Sequence, residues 1–408
     1  MENSQLIYDW NLQGKPFART RPVLLDDETL RDGLQSPSVQ NPPIEQKLAI
    51  LRLMERMGIQ KVDLGLPGGG PHHREHIEAL LACIVQEKMK IRPGCAVRTV
   101  VSDIEPVVEL IQKYGIAIQA SAFLGTSPIR QFVEGWDLAH LMATMEKAVA
   151  FAAQHQVPVM FVTEDTTRSQ PEDLRALYTR AIELGARAIC VADTVGHATP
   201  HGVRELLSFI RGIVDATGQT VEVNWHGHSD RGLAVANCLA AIEGGADCVH
   251  GTALGIGERV GNAAMDQLLV NLKLLGLHAH DVSALPEYCT LVSRAVGVPI
   301  PRNYPVVGAD AFETATGVHA AAVIKAFKKG DRWLADRVYS GVPASDFGLE
   351  QVIRIGPMSG RSNVVHWLSR HGIEPSDDLV AKIFERAKEA THILEDREIE
   401  AIVTAARV

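Results

Sequence analysis

Eight short aliphatic runs recur along the 408-residue chain, with segments of helical periodicity between them. The expected strands are Val23–Asp26, Lys61–Leu64, Pro93–Arg98, Ala117–Ala120, Pro158–Thr163, Ala188–Ala192, Thr220–Trp225 and Asp247–His250. Helices are expected over 44–57, 142–155, 172–184, 201–215 and 231–243. In the first, Ile44, Leu48, Leu51 and Met54 fall at helical spacing after Pro42 and Pro43. Gly58, Gly115, Gly185 and Gly245 each stand between a helix and the next strand, where a helix-stopping residue belongs. Eight strand–helix units in about 255 residues predict an α/β fold whose sheet closes into a (β/α)8 TIM barrel. The rival is an open doubly wound sheet, which usually carries a glycine-rich fingerprint after its first strand. The chain has neither a G-x-G-x-x-G run nor a Walker-type phosphate loop.

Beyond residue 285 the rhythm changes. Pro299, Pro301 and Pro305 mark a connector, followed by a helix around 315–327, an irregular 336–361, and helices over 362–371 and 377–403. The last carries Leu379, Ile383, Ala387, Ala390 and Ile393 along one stripe. The expected division is an N-terminal extension (1–20), a barrel (21–285) and a C-terminal helical appendage (286–408) that covers the barrel mouth or reaches a partner subunit. Aromatics are only 5% of the chain, so the core must be aliphatic. A formal charge of -9 offers no generic nucleic-acid footprint. The six cysteines form no CxxC pair and read as reduced, small hydrophobes. The opening MENSQLIYDW lacks the features of an export signal, and no run approaches 18 uncharged apolar residues. A cytoplasmic enzyme with no membrane span is expected.

Chemistry concentrates at the carboxyl ends of the expected strands, where barrel active sites are built. His226 and His228 stand two apart on an extended segment, so both imidazoles point the same way and can reach one ion. Read alone, they are equally an ordinary pair of loop histidines. The first strand runs into Asp27-Glu28-Thr29-Leu30-Arg31-Asp32-Gly33, either a functional rim or a solvated turn. After the eighth strand, Gly255–Asn262 is a glycine-rich turn, weak as a phosphate loop, in which an amide oxygen from Asn262 can complete a carboxylate–imidazole–amide site. Such donors suit a hard or intermediate divalent cation with open positions, and the lack of nearby thiolates argues against a closed structural zinc site. Further polar strand ends are Arg98, Glu164–Arg168 and Asp193-Thr194. Glu164 and Arg168 alternatively form a rim ion pair. Arg98, Arg130, Arg168 and Thr194 are candidates for contacting substrate, the arginines through a phosphate or a second carboxylate.

Asp27–Gln35, His226-Gly227-His228, Leu233–Asn237, Gly255–Ala263 and Gly317-Val318-His319, in this order, resemble the DRE-TIM metallolyase family, and within it the 2-isopropylmalate, homocitrate and citramalate synthase branch. The resemblance implies a barrel followed by helical subdomains, usually homodimeric, condensing acetyl-CoA with a 2-oxo acid on a divalent metal (Mg, Mn or Zn). It implies metal ligands at Asp32, His226, His228 and Asn262, and a catalytic arginine at Arg31. It also implies an acidic assistant at Glu164, a histidine base at His319 and a tyrosine near the site at Tyr339. Glu28 stands where the family usually has threonine, and Asp63 where these synthases often have glutamate. Leu34 makes the motif locally like the hydroxymethylglutaryl-CoA lyase, whose cysteine-bearing loop is not matched. The long C-terminal regulatory domain of many isopropylmalate synthases is also unmatched, so leucine feedback is not expected. 2-Oxoisovalerate is the preferred acceptor. Pyruvate, 2-oxoglutarate and oxaloacetate, a carbon–carbon lyase, and a silent acyl-CoA or metabolite-binding protein are the alternatives.

Overall fold

A computed structural model describes residues 6–14, 17 and 22–406, so much of the expected N-terminal extension lies outside the described residues. Eight parallel strands close into a barrel in sequence order: β1 (Leu24–Asp27), β2 (Lys61–Asp63), β3 (Arg92–Arg98), β4 (Gln119–Gly125), β5 (Val159–Glu164), β6 (Ala188–Asp193), β7 (Glu222–Gly227) and β8 (Cys248–Gly251). All eight expected strands are present. Closure sets β1 against β8 with Asp26 opposite His250 and Asp27 opposite Gly251.

The helices around the barrel are α1 (Ile44–Arg56), α2 (Pro71–Gln86), α3 (Val101–Tyr114), α4 (Pro128–Glu134), α5 (Leu138–Gln154), α6 (Pro171–Glu183), α7 (Pro200–Ala216), α8 (Ala234–Glu243) and α9 (Met265–Leu274). Proline opens α2, α4, α6 and α7, where a missing N–H costs nothing. Ser127, Asp137 and Thr199 accept orphan amides at the starts of α4, α5 and α7. Sequence periodicity does not single out α2, α3, α4 or α9: α3 carries Pro106 inside it, and α4 buries none of its side chains. Gly58 is required: its φ is +73°, and a Cβ there would come within 2.2 Å of the His280 ring.

The described chain forms two compact units, 1–281 with 287–298 and 282–286 with 299–408. Most of α10 (Leu285–Val296) thus belongs with the barrel, beyond the boundary expected at 285. Its anchor is a buried polar knot. The Tyr288 hydroxyl donates to Asp27 Oδ2, the Thr29 amide donates to Asp27 Oδ1 at 2.9 Å, and the Ala253 amide donates to Thr29 Oγ1 at 2.8 Å. Burial outweighs these donors and lifts the Asp27 carboxyl from 3.8 to about 6. A carboxyl raised in the folded state contributes most below its unfolded pKa and loses that contribution as pH rises through the folded value. Stability should therefore fall by ~2 kcal/mol between pH 4 and 7 on account of this group. Asp27→Asn should flatten that slope in urea melts across this range, and parallel wild-type and variant profiles would reject the assignment.

In the second unit, α11 (Gly317–Lys328), α12 (Arg332–Arg337), α13 (Arg361–Arg370), α14 (Asp377–Glu389) and α15 (Asp396–Ala406) accompany a two-stranded parallel ribbon, β9 (Glu313–Thr314) with β10 (Val352–Ile353). The single helix expected over 377–403 is two. The backbone leaves the helix at Ala390 (ψ +153°), and the Leu394 amide donates to the Ile355 carbonyl instead of continuing the helical ladder. The break re-aims Ile399 and Val403 onto the same buried cluster as Trp367, Val380 and Ile383. All six cysteines are buried and free. No described helix is long and apolar enough to cross a membrane.

Candidate active site

Barrel interiors are usually packed with branched aliphatic side chains. Here Lys61, the first residue of β2 and 4% exposed, reaches Glu222 Oε1 at 2.9 Å and Asn224 Oδ1 at 3.3 Å inside the barrel. Above this polar floor opens a cavity of about 250 Å³. Ala96, Phe123, Met160, Val162 and Ala192 line its apolar wall, while Glu28, Arg31, Asp32, His226, His228 and His250 line its polar side.

The two-residue spacing on β7 and just beyond it works as anticipated. His226 Nε2 and His228 Nε2 lie 3.3 Å apart, and Asp32 Oδ2 lies 3.4 Å from the first and 3.7 Å from the second. Donors held by one cation at about 2.1 Å stand roughly 3.0–3.5 Å from one another. Two of the three separations fall in that range and the third, 3.7 Å, is slightly wider, so a small closure gives the bite of a metal centre. Asn262 faces His228 through an isolated backbone bridge, and both its amide atoms are buried without a hydrogen-bond partner. Such an orphaned amide is costly unless something binds it, which fits an oxygen ligand or a substrate contact. Gly257 makes room for it: a Cβ there would lie 3.2 Å from the Asn262 side chain.

Charge supports the same reading. One guanidinium, Arg31, meets three carboxylates: Glu28 at 2.8 Å, Asp63 at 2.8 Å and Asp32 at 3.5 Å. Burial opposes ionisation of Asp32, but Arg31 and His226 hold its carboxyl below the usual range. Burial opposes Glu28 likewise, and Arg31, His226 and His250 hold it well below. Burial lifts Asp63 to about 7 against the pull of Arg31. Burial, with His226 beside it, lowers His228 to about 4, leaving a neutral imidazole as metal ligation requires. Burial would also lower His226, but Glu28 and Asp32 raise it. The Glu28 and Asp32 carboxylates beside the imidazoles supply negative charge that a divalent cation would neutralise.

The remaining expected residues are distributed unevenly. Glu164 and Thr194 line the cavity, and burial raises the Glu164 carboxyl. Arg98 and Arg168 are not among the lining residues. Arg98 is forked onto Asp103 with two-thirds of its side chain in solvent, and Arg168 pairs at 2.6 Å with Asp165 rather than with Glu164. Arg130 pairs with Glu134 at 3.3 Å. His319 and Tyr339 belong to the second unit, where their exposed rings stack with centroids 4.3 Å apart. The sequence reading gave no role to His250, Gln35 or Arg259. His250 was detectable, because Cys248 and His250 repeat on β8 the two-residue alternation of Asn224 and His226 on β7. Arg259 has φ +56° and donates to Asp230 and the Thr194 carbonyl, tying the loop after β8 to the end of β6.

Residues 23–292 match the HMGL-like family. The chain is 33% identical to homocitrate synthase AksA of Methanopyrus kandleri over 368 residues, covering 90% of this chain and 87% of that protein. It is also 33% identical to a probable 2-isopropylmalate synthase of the same organism over 370 residues, covering 90% and 69% respectively. Its fold resembles hydroxymethylglutaryl-CoA lyase of Pseudomonas aeruginosa, with a TM-score of 0.57, 19% identity, and coverage of 67% of this chain and 93% of that one. A closed parallel barrel, an Asp–His–His cluster at its mouth and sequence likeness over nine-tenths of the chain converge: the protein belongs to the HMGL-like, or DRE-TIM, family of metal-dependent enzymes.

Proposed function

We propose that the protein is an acyltransferase that condenses acetyl-CoA with a 2-oxo acid, and that the acceptor is 2-oxoisovalerate, giving 2-isopropylmalate. The observation that carries the reading is the composition of one cavity. A cation-binding Asp–His–His face and Arg31 stand opposite a wall of Ala96, Phe123, Met160, Val162 and Ala192. The cationic side chains lining it are Arg31 and Arg259, and both already face carboxylates. A branched aliphatic acceptor suits that wall, whereas a second substrate carboxylate would lack a free counter-charge.

Asp32, His226, His228 and Asn262 would hold the cation, which when bound supplies Lewis-acid polarisation of the acceptor carbonyl. Arg31 stabilises the negative charge that grows on the keto oxygen as the carbon–carbon bond forms, where a fixed cation counts most. The acetyl methyl gives its proton to a base, for which His319 is proposed, with Glu164 assisting. Water then cleaves the thioester and frees CoA. Tyr339 stacks on His319 and is proposed to orient its ring.

Thiol release from acetyl-CoA with a panel of 2-oxo acids tests the reading. Highest kcat/KM with 2-oxoisovalerate is expected. Preference for 2-oxoglutarate would overturn the acceptor, and acceptor-independent thiol release would overturn the condensation. His319→Ala should cut kcat by about 10²–10⁴-fold while leaving divalent-cation affinity unchanged. Unaltered kcat removes it as the base.

A further inference from the structure

Beneath the Asp32–His226–His228 face lies a second polar layer that the condensation as described does not use. His250, on β8 and 2% exposed, places Nδ1 2.8 Å from Glu28 Oε1 and Nε2 3.2 Å from Asn224 Oδ1. The orientation of the Asn224 amide is determined by its partners. Its Nδ2 donates to the Ile189 carbonyl at 3.3 Å and to Glu222 Oε1 at 3.1 Å, while its Oδ1 accepts from Lys61 Nζ at 3.3 Å. The amide oxygen therefore faces His250, and an oxygen can only accept, so His250 Nε2 carries a hydrogen. On the other side, Glu28 Oε2 stands 2.8 Å from Arg31 Nη2 and 3.1 Å from His226 Nδ1. Whichever of Glu28 Oε1 and His250 Nδ1 holds the proton between them, Oε2 remains an acceptor at contact distance, though not aligned as a hydrogen bond, and its negative charge favours a hydrogen on His226 Nδ1 over Nε2. In the neutral ring the lone pair then sits on Nε2, the atom facing Asp32 and His228. His228, by contrast, has no partner at its buried Nδ1.

We propose that Glu28 is a positioning residue that holds His226 in its Nδ1–H form and so aims the Nε2 lone pair at the cation, with His250, Asn224 and Lys61 as the strut that keeps Glu28 in place. A ligating imidazole whose other nitrogen is anchored by a carboxylate is a general way to raise ligand basicity and fix ring orientation. Here the anchor is the residue that departs from the threonine expected at this position. The inference rests on the reading of Asp32, His226 and His228 as the cation centre. Glu28, His226 and His250 also lie close enough together to hold a second cation. Against that use, the Arg31 guanidinium already occupies the carboxylate oxygen that faces His226.

The test uses the full chain stripped with chelator. Mn²⁺ titration calorimetry reads affinity and stoichiometry. Histidine-selective ¹⁵N spectra at pH 9 read the tautomer, the His226 signals being those missing from His226→Asn. Wild type should bind one Mn²⁺ per chain and show His226 as the Nδ1–H tautomer. Glu28→Ala should bind Mn²⁺ about 10–100-fold more weakly and show a mixed tautomer. Glu28→Gln should stay within a few-fold of wild type, because its amide oxygen can still accept from Nδ1–H. An Nε2–H tautomer in wild type, two Mn²⁺ per chain, or unchanged affinity in a folded Glu28→Ala overturns the proposal alone. No Mn²⁺ uptake by wild type overturns the cation-centre reading, and this inference with it.

Discussion

Asp32→Ala is expected to abolish specific divalent-cation binding and to lower kcat/KM by at least about 10³-fold, the equivalent of several kcal/mol of lost carbonyl polarisation. The expectation follows from geometry and charge together. Asp32 Oδ2 is the only carboxylate oxygen among the three clustered donors, standing within 3.7 Å of both histidine Nε2 atoms. Without it, two imidazoles remain and no carboxylate among the donors. Titration calorimetry on the stripped protein checks the binding arm. Running it in buffers of different protonation enthalpy reads whatever protons the ligands give up on binding. A folded Asp32→Ala protein that binds the cation as tightly as wild type would remove both the centre and the proposed chemistry.

Arg31→Met should hurt twice. The guanidinium faces Glu28, Asp63 and Asp32 at 2.8–3.5 Å in a largely buried setting. Removing it strands buried carboxylates, a change that typically costs about 3–5 kcal/mol of stability. Loss of the cation beside the developing alkoxide should lower kcat by about 10²–10³-fold as well. Arg31→Lys should recover part of the stability and less of the activity, since a compact ammonium lacks the planar five-donor fork with which the guanidinium spans three carboxylates. Urea midpoints and single-turnover rates for the two variants separate the effects. An Arg31→Met protein as stable as wild type would show that the carboxylates do not depend on this partner.

Legibility of the site depended on how far apart its parts lie in the chain. His226 and His228 could be paired from sequence because strand alternation alone puts them on one side. Asp32 and Asn262 were placed by motif resemblance, and the fold brings Asp32 within reach of both imidazoles. The assignments of Arg98 and Arg168 to substrate did not account for local competition: each has an aspartate within five residues that takes its guanidinium. Lys61 gave no signal, because a lysine at the start of a strand ordinarily points to water. The Glu222 and Asn224 side chains of β7, with the Asp26 carboxylate at 3.6 Å, make its buried position tolerable.

The C-terminal unit shows the complementary failure. The stripe from Leu379 to Ile393 has helical spacing throughout, so periodicity alone could not announce the break at Ala390. The break exists because the Leu394 amide finds the Ile355 carbonyl and Ile399 finds the same core from a new direction.

Local periodicity and residue spacing were therefore enough to indicate the eight-strand repeat and to put the two imidazoles on one side of the chain, since both follow from geometry between near neighbours. The meeting of Glu28 with His250 across 222 residues was decided by the tertiary structure alone. It arises when β1 closes against β8 and sets Asp26 opposite His250, a register that depends on the whole barrel shutting rather than on any segment of it.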